Sequence, residues 1–186
     1  WIHLGLRTGS ALNLNVLSVN STDEKPNVTH EFVYEAALTA AVNILPFLSL
    51  HLEAAVSYDD APYRSSARYQ TTTGNIRFID NEKSWSLLFP VMIKFPMRLK
   101  NIVLSPYAGA GITMPLKNLT GFTPFLNLGG DLRILFGPGA LVWDLRYGMD
   151  IVTARKIQGG IEYFRHRAAL SFGYQFAFFT KTSTVK

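Results

Sequence analysis

Apolar and polar residues alternate in steps of two along almost the whole of this 186-residue chain. The clearest segment is SFGYQFAF at 171–178, in which every even-numbered position is aromatic and every odd-numbered position is small or polar. Because successive side chains of a β-strand point to opposite faces, such a segment has one apolar face and one small, polar face. The chain is therefore expected to form a sheet whose two faces meet different environments.

Eight segments alternate in this way, each of roughly nine to fourteen residues, the length of a tilted strand that crosses a bilayer. No apolar run approaches the roughly 18 residues of a membrane-spanning helix. Only helices and closed barrels satisfy every backbone group inside a membrane. We expect an all-β fold, an eight-stranded antiparallel transmembrane barrel over residues 1–180, followed by a polar tail at 181–186. The start of the eighth strand stays open, because the alternation shifts between Ile151 and Ala168.

Two kinds of barrel fit this alternation, and they have opposite polarity. A soluble barrel that carries a ligand buries its apolar face, whereas a membrane barrel turns that face outward to the lipid. Here the apolar faces are continuous in Leu, Ile, Val and Phe, and the opposite faces are rich in Gly, Ala, Ser and Asn. Small side chains suit the narrow interior of an eight-stranded barrel. The pattern favours a transmembrane barrel, with a soluble lipocalin-like carrier as the alternative.

The connections between the segments differ in length. Short turns are expected at 45–47, 98–101 and 137–139, and longer polar loops at 18–29, 59–83, 116–121 and 152–159. Outer-membrane barrels have short periplasmic turns and longer extracellular loops. The N-terminus is therefore expected on the periplasmic side.

Aromatic residues lie near both ends of the segments. Tyr34, Tyr58 and Trp85 are expected near the long loops, whereas Phe47, Trp143 and Phe178 are expected near the short turns. Two aromatic belts of this kind mark the two interfaces of a membrane.

Prolines at 90, 96, 106 and 124 fall inside or near the segments. Proline has no N–H to donate to a sheet, so each is expected at a bulge or near a rim of the barrel. Pro90, in the middle of its segment, fits neither expectation.

The charge and the missing cysteines exclude other classes of protein. The formal net charge is +5 and the pI is near 9.5. However, Lys and Arg are scattered singly, without the basic clusters that bind nucleic acid. There is no cysteine, so the sheet must hold the chain without a disulfide framework. Because the first residues already alternate like a strand, the chain is interpreted as a mature or trimmed form without a signal peptide.

The chain resembles the small OmpA/OmpX/OmpW-type outer-membrane barrels in four segments. Three of them are PYAGAG at 106–111, NLGGDL at 127–132 and LRY at 145–147. The fourth is the octet at 171–178, which resembles the C-terminal barrel-assembly signal of that superfamily through Ser171, Gly173, Phe176 and Phe178. The signal usually ends the protein, whereas here Phe179 and a polar tail follow.

The resemblance implies a monomer in the bacterial outer membrane that needs no cofactor. It implies contact with the lipid bilayer, with lipopolysaccharide or another outer-leaflet lipid, and with the barrel-assembly machinery. A host or surface protein is a further expected partner through the extracellular loops. Nucleic acid is not an expected partner.

Charged residues recur on the face expected to line the interior. They are Arg7, Glu31, Glu35, Glu53, Lys94, Arg98, Asp131, Arg133, Asp144, Arg146 and Asp150. Isolated charges in a narrow barrel are costly, so they are expected to pair across strands, for example Asp131 and Arg133 with Asp144 and Arg146. The set predicts either a polar plug or a narrow, charge-lined channel for small or hydrophobic solutes of the OmpW type.

The histidines are the residues most able to support catalysis or metal binding. His51 and Glu53 share the inner face, and His3 is expected near them, a trio that could bind a metal or activate Ser49. A histidine bonded to a glutamate in a core is the commoner case, and no Gly-x-Ser-x-Gly or HExxH motif occurs. We expect no catalytic residues and no metal, and a lipid-modifying enzyme ranks third after a structural barrel and a channel.

The longest loop, 59–83, carries residues typical of protein interfaces. Its candidates for binding a partner are Tyr63, Arg64, Arg68 and Tyr69, because Tyr and Arg often anchor interfaces. The alternative is a hairpin over 67–79, around Thr73-Gly74-Asn75, that only extends the barrel outward.

Overall fold

The alternating segments form strands, and hydrogen bonds join these strands edge to edge. The computed structural model describes residues 2–19, 27–60, 68–71, 74–77, 84–116, 122–151 and 161–178. The strands are β1 (Ile2–Val19), β2 (Asn27–Leu45), β3 (Leu48–Asp60), β4 (Arg68–Thr71), β5 (Gly74–Arg77), β6 (Ser84–Lys94), β7 (Met97–Leu99), β8 (Ile102–Pro115), β9 (Thr123–Phe136), β10 (Gly139–Asp150) and β11 (Ile161–Phe178).

Antiparallel pairing closes the strands of the larger sheet into an eight-stranded barrel. We call each of the eight strand positions around the barrel a stave. Around the barrel the strands pair in the order β1, β2, β3, β6, β8, β9, β10 and β11; β7 also pairs with β8, and β11 returns to pair with β1. Strands β6 and β7 together form one stave, since both pair with β8. The predicted eight-stranded antiparallel barrel is confirmed.

The last strand is longer and more regular than its sequence indicates. Strand β11 pairs with β1 without a register shift, from Ile2 opposite Phe178 to Val19 opposite Ile161. The alternation therefore continues through Ala168, and the shift expected before that residue is wrong within β11.

Prolines interrupt the ladder on the stave formed by β6 and β7. Between β3 and β6, pairs form on both sides of Pro90 but not at Pro90 itself, and the register is kept across the gap. Pro90 is fully buried in the interior. Pro96 separates β6 from β7, where the Phe95 N–H donates to the Pro106 carbonyl at 3.0 Å. A central strand thus accommodates Pro90 by losing ladder hydrogen bonds, without a bulge.

Three tight turns lie together at one end of the barrel, which we call the turn end. They contain Pro46–Phe47, Lys100–Asn101 and Gly137–Pro138. Gly137 and Lys100 have φ values of 60° and 54°, in the left-handed region that tight turns often require. Ile2 and Phe178, the ends of the described chain, pair at this same end. Strands β4 and β5 form a separate two-stranded hairpin within the loop that joins β3 to β6 at the opposite end, the loop end.

The outer surface is apolar. Leu6, Leu38, Leu128, Leu145 and Leu170 each expose about 60% of their surface, at 61%, 63%, 59%, 64% and 60%. Neighbouring residues of opposite parity are buried and are mainly small, polar or charged. This polarity suits lipid outside and excludes the soluble carrier. Among the described residues, no helix is long and apolar enough to cross a bilayer.

An aromatic row lies on the outer surface towards the loop end. Tyr34 pairs with Tyr58, and Tyr58 pairs with Trp85, whose ring centroid lies 4.8 Å from that of Tyr58. Trp143, expected near a turn, is instead the fifth of the twelve residues of β10, opposite Leu132 and Phe172. The side chain of Phe178 lies outside the described residues.

We expect Gly173→Ala to destabilise the barrel because β1 and β11 approach closely at this residue. A Cβ atom at Gly173 would lie 2.9 Å from Arg7 Cα and closer still to the Leu6 carbonyl oxygen. The free energy of unfolding should fall by about 1–3 kcal/mol, measured by urea titration of the protein refolded in phospholipid vesicles. Gly130→Ala is the control, since its Cβ atom would meet no atom within 3.8 Å. Equal losses in both variants would contradict the explanation.

Candidate functional site

Charged side chains from many strands meet in the interior. Eight residues form what we call the central network: Arg7, Glu53, Lys94, Tyr107, Asp131, Arg133, Asp144 and Arg146. Seven of the eight come from positions whose alternation predicted an inward side chain with a charge, and Tyr107 shares their face. All except Arg133 are buried, with exposed fractions between 1% and 7%.

Glu53 is the first centre of the network. Arg146 donates from Nη1 and Nη2 to the two Glu53 carboxylate oxygens at 3.1 and 3.0 Å, a bidentate pair. Arg7 donates to the same carboxylate from Nη2. Two guanidinium groups therefore share one carboxylate that has almost no contact with solvent, since the Glu53 side chain is only 1% exposed.

Asp144 is the second centre. It accepts a hydrogen bond from Arg7 Nη1 at 3.1 Å and another from the Tyr107 hydroxyl at 2.9 Å. Arg146 lies 3.5 Å from the carboxylate and donates from Nε to the Tyr107 hydroxyl at 3.2 Å. Tyr107 thus joins Arg146 to Asp144. Its ring lies against Gly129 on the neighbouring strand, where any side chain would clash with it.

Asp131 is the third centre. Lys94 Nζ donates to one of its oxygens at 2.5 Å, and Arg133 Nε lies 3.1 Å from the other. Lys94 Nζ also lies 4.7 Å from the centre of the Tyr107 ring, a cation–π contact that joins this centre to the second one.

The ion pairs predicted between β9 and β10 are replaced by pairs with other strands. Asp131 and Asp144 lie directly opposite each other, so two carboxylates face one another there. Neither forms a pair with a cation on the other of these two strands. Asp131 binds Lys94 of β6, and Asp144 binds Arg7 of β1.

The contacts of the network reach every stave. Besides the strands already named, β2 contributes Glu35, whose carboxylate lies 3.6 Å from Arg7, and β11 contributes Ser171, which accepts from Arg7 at 2.6 Å. These polar contacts therefore connect side chains from the whole circumference of the barrel.

Two arginines of β11 were not identified from the sequence as residues of the barrel interior. Arg167 pairs with Glu35, and Arg165 Nε lies 3.9 Å from Asp150. The signal was present: counting back in steps of two from Gly173 places both arginines on the inner face. Arg98, expected inside, is exposed at the turn end and donates to the Lys100 carbonyl at 3.3 Å.

The remaining predicted residues are distributed over the barrel and its loop. Of the octet at 171–178, Ser171 points inward, Gly173 lies against β1, and the Phe176 ring is exposed outside, edge-on to Tyr174 at 4.6 Å. Tyr63 and Arg64 lie outside the described residues, as do the side chains of Glu31, Arg68 and Tyr69.

The predicted histidine trio does not assemble. Glu53 is bonded by Arg7 and Arg146, and no contact from Glu53 to His51 is found among the described side chains. His3 lies at 3.4 Å from the Asn43 amide nitrogen instead. Within the described ranges, no cluster of three or more His, Cys, Asp or Glu residues could hold a metal ion.

Two cavities border the central network on opposite sides, and they differ in volume. On the loop side, the cavity bordered by Glu35, Phe125, Asn127 and Arg167 has a volume of about 20 Å³. On the turn side, a cavity of about 950 Å³ opens at the mouth. We call it the vestibule, and the residues that line it include His3, Asn43, Arg98, Val103, Arg133, Leu135, Ala140 and Gln175.

Replacing Glu53 should strongly destabilise the barrel, because Arg7 and Arg146 would lose their shared carboxylate. We expect Glu53→Gln to lower the free energy of unfolding by about 3–5 kcal/mol, measured by urea titration in phospholipid vesicles. Asp150→Asn is the matched control at the partly exposed Arg165 pair, and should cost less than about 1 kcal/mol. A small loss at Glu53 would mean that water screens the pair.

Comparison with known proteins supports the fold. No family model matches the sequence, and no curated protein matches it. Neisserial surface protein A is similar in structure, with a TM-score of 0.50 and 9% identity over 93% of this chain and 97% of that one. The Ail protein of Yersinia pestis has a TM-score of 0.44 and 14% identity, over 94% and 98%. The outer membrane protease OmpT of Escherichia coli has a TM-score of 0.47 and 7% identity, over 95% and 96%.

The closed sheet, the apolar outer face and the similarity to Neisserial surface protein A agree with one another. They confirm the predicted fold class. The chain has the fold of the small eight-stranded OmpA/OmpX-like barrels of the bacterial outer membrane.

Proposed function

We propose that this protein is a closed outer-membrane barrel with a structural and surface-presenting role, and that the central network is its plug. The observation that carries this proposal is that contacts of the network reach all eight staves, while the neighbouring cavity on the loop side holds only about 20 Å³. That volume is close to the space of one water molecule.

The energetics of the network favour a closed interior. Glu53, Asp131 and Asp144 each contact at least two cationic groups. A hydrated path past them requires several of these pairs to separate. Removing one partner of a buried pair typically costs about 3–5 kcal/mol, so a spontaneous opening of several pairs is rare.

A narrow channel for small or hydrophobic solutes is the second candidate. The vestibule favours it, because a cavity of about 950 Å³ already leads from the turn end to the network. The channel would need the plug to open. A lipid-modifying enzyme ranks third, since the carboxylate nearest in sequence to His51 is engaged by two arginines.

The outer surface supports the lipid and assembly partners proposed for this barrel. The apolar belt and the aromatic row at Tyr34, Tyr58 and Trp85 suit the bilayer and outer-leaflet lipid such as lipopolysaccharide. The exposed Phe176 suits recognition of the last strand by the assembly machinery. We propose a monomer, since the barrel pairs all its staves without a partner chain.

Surface interaction is assigned to the loop that contains β4 and β5. This hairpin pairs only with itself, separately from the barrel sheet. A variant in which residues 61–83 are replaced by an Asn-Gly turn should therefore keep the heat-modifiable gel migration of the folded barrel. Cells that present this variant should lose any adhesion to host or surface protein that the intact chain provides.

Single-channel recording in planar bilayers tests the plug directly. We expect the refolded protein, with insertion shown by heat-modifiable migration, to give no discrete current steps. The double variant Glu53→Ser with Arg146→Ser removes one cation and one anion from the plug, and should give reproducible steps. Steps from the unaltered protein would overturn the plug and favour the channel.

A further inference from the structure

The vestibule has the size and the lining of a small-molecule site. Its volume of about 950 Å³ lies within the roughly 300–1,000 Å³ typical of ligand pockets. Val103, Leu135 and Ala140 give it apolar walls, while Asn43 and Gln175 add amide groups that can donate or accept hydrogen bonds. Such a mixture suits a ligand with an apolar body and a polar group.

The vestibule is also where the positive charge of the described interior is in excess. Arg7 and Arg146 balance Glu53 and Asp144, and the pairs on the loop side, Glu35 with Arg167 and Asp150 with Arg165, are each neutral. At the third centre, Lys94 and Arg133 share the single carboxylate of Asp131. One cation is therefore uncompensated there, and Arg98 at the mouth adds a second.

Arg98 and Arg133 are placed to act together. Arg98 lies opposite Val103, and Val103 lies opposite Arg133, so the two arginines share one level of the barrel on either side of an apolar residue. Strands are spaced by about 4.8 Å, which puts their backbones roughly 10 Å apart. No Asp or Glu is among the described residues that line the vestibule.

Each guanidinium keeps capacity for a further acceptor. Arg133 Nη2 donates to Ser105 at 2.6 Å, Arg133 Nε lies 3.1 Å from the Asp131 carboxylate as an ion pair, and Arg98 Nε donates to the Lys100 carbonyl. No hydrogen bond from Arg133 Nη1 or from the Arg98 Nη atoms is found among the described residues. These atoms are free to bind an anion bidentately or to grip it between them.

We propose that the vestibule is a binding site for a small organic anion with an apolar body, such as an aromatic or short aliphatic phosphate monoester or carboxylate. The anionic group binds Arg98 and Arg133, and the body lies against Val103, Leu135 and Ala140. Positive charge inside apolar walls attracts anions and repels cations. The site does not require the barrel to conduct, so it goes beyond the proposed plug.

The test is calorimetric titration of the full chain, refolded in phosphatidylcholine nanodiscs, with phenyl phosphate. We expect saturable binding to one site that is absent from empty discs. Phenol, which lacks the anionic group, and inorganic phosphate, which lacks the apolar body, should each bind at least about tenfold more weakly. Equal heats with and without protein would overturn the proposal.

Variants separate the site from a general attraction of anions. Arg98→Gln with Arg133→Gln should weaken phenyl phosphate binding at least about tenfold. Asp131 keeps Lys94 in this variant, so the fold should survive, which heat-modifiable migration checks. Arg165→Gln removes one positive charge at the loop end, away from the vestibule, and should leave binding unchanged. Ala140→Trp keeps both arginines but places an indole against the wall where the apolar body lies, and should weaken binding at least about tenfold. Unchanged binding in this variant, or in the double variant, would refute the site.

Discussion

The pairing of β1 with β11 is the interaction on which the rest of the structure depends. Their ladder runs without a shift from Ile2 opposite Phe178 to Val19 opposite Ile161. It leaves the barrel sheet without a free edge, and a bilayer tolerates a sheet only in that state. Closure also turns two faces of a sheet into an inside and an outside. Gly173 permits the close approach, since a side chain there would meet the β1 backbone.

An interior closed in this way determines what its charges must do. Carboxylates and guanidinium groups with exposed fractions of a few per cent can stay charged only if they pair and form hydrogen bonds. Glu53, Asp144 and Asp131 each gather cations from several strands, and Tyr107 links the three centres. The same contacts that satisfy the charges also obstruct the lumen. Lys94 and Arg133 share the single carboxylate of Asp131, so one positive charge of the network remains uncompensated where Arg133 borders the vestibule.

Alternation predicted which residues face inward, but it could not predict which ones meet. Asp131 and Asp144 were expected to pair with arginines on each other's strand, whereas they lie opposite each other and take cations from β6 and β1. Contacts across a lumen depend on barrel diameter, tilt and side-chain length, which no single strand encodes. Arg165 and Arg167 were overlooked because the alternation was lost between Ile151 and Ala168, although it continues unbroken along β11.

The sequence by itself determined the class of fold, the number of staves and the face of each side chain, because period-two alternation is a local property of each strand. It also indicated the membrane, since the apolar faces are continuous and the polar faces are small. Only the tertiary structure decided how Pro90 fits a central strand and which carboxylate binds which cation. It also decided that the larger of the two cavities beside the network lies on the turn side. These depend on distances between residues far apart in the chain, which exist only after the barrel has closed.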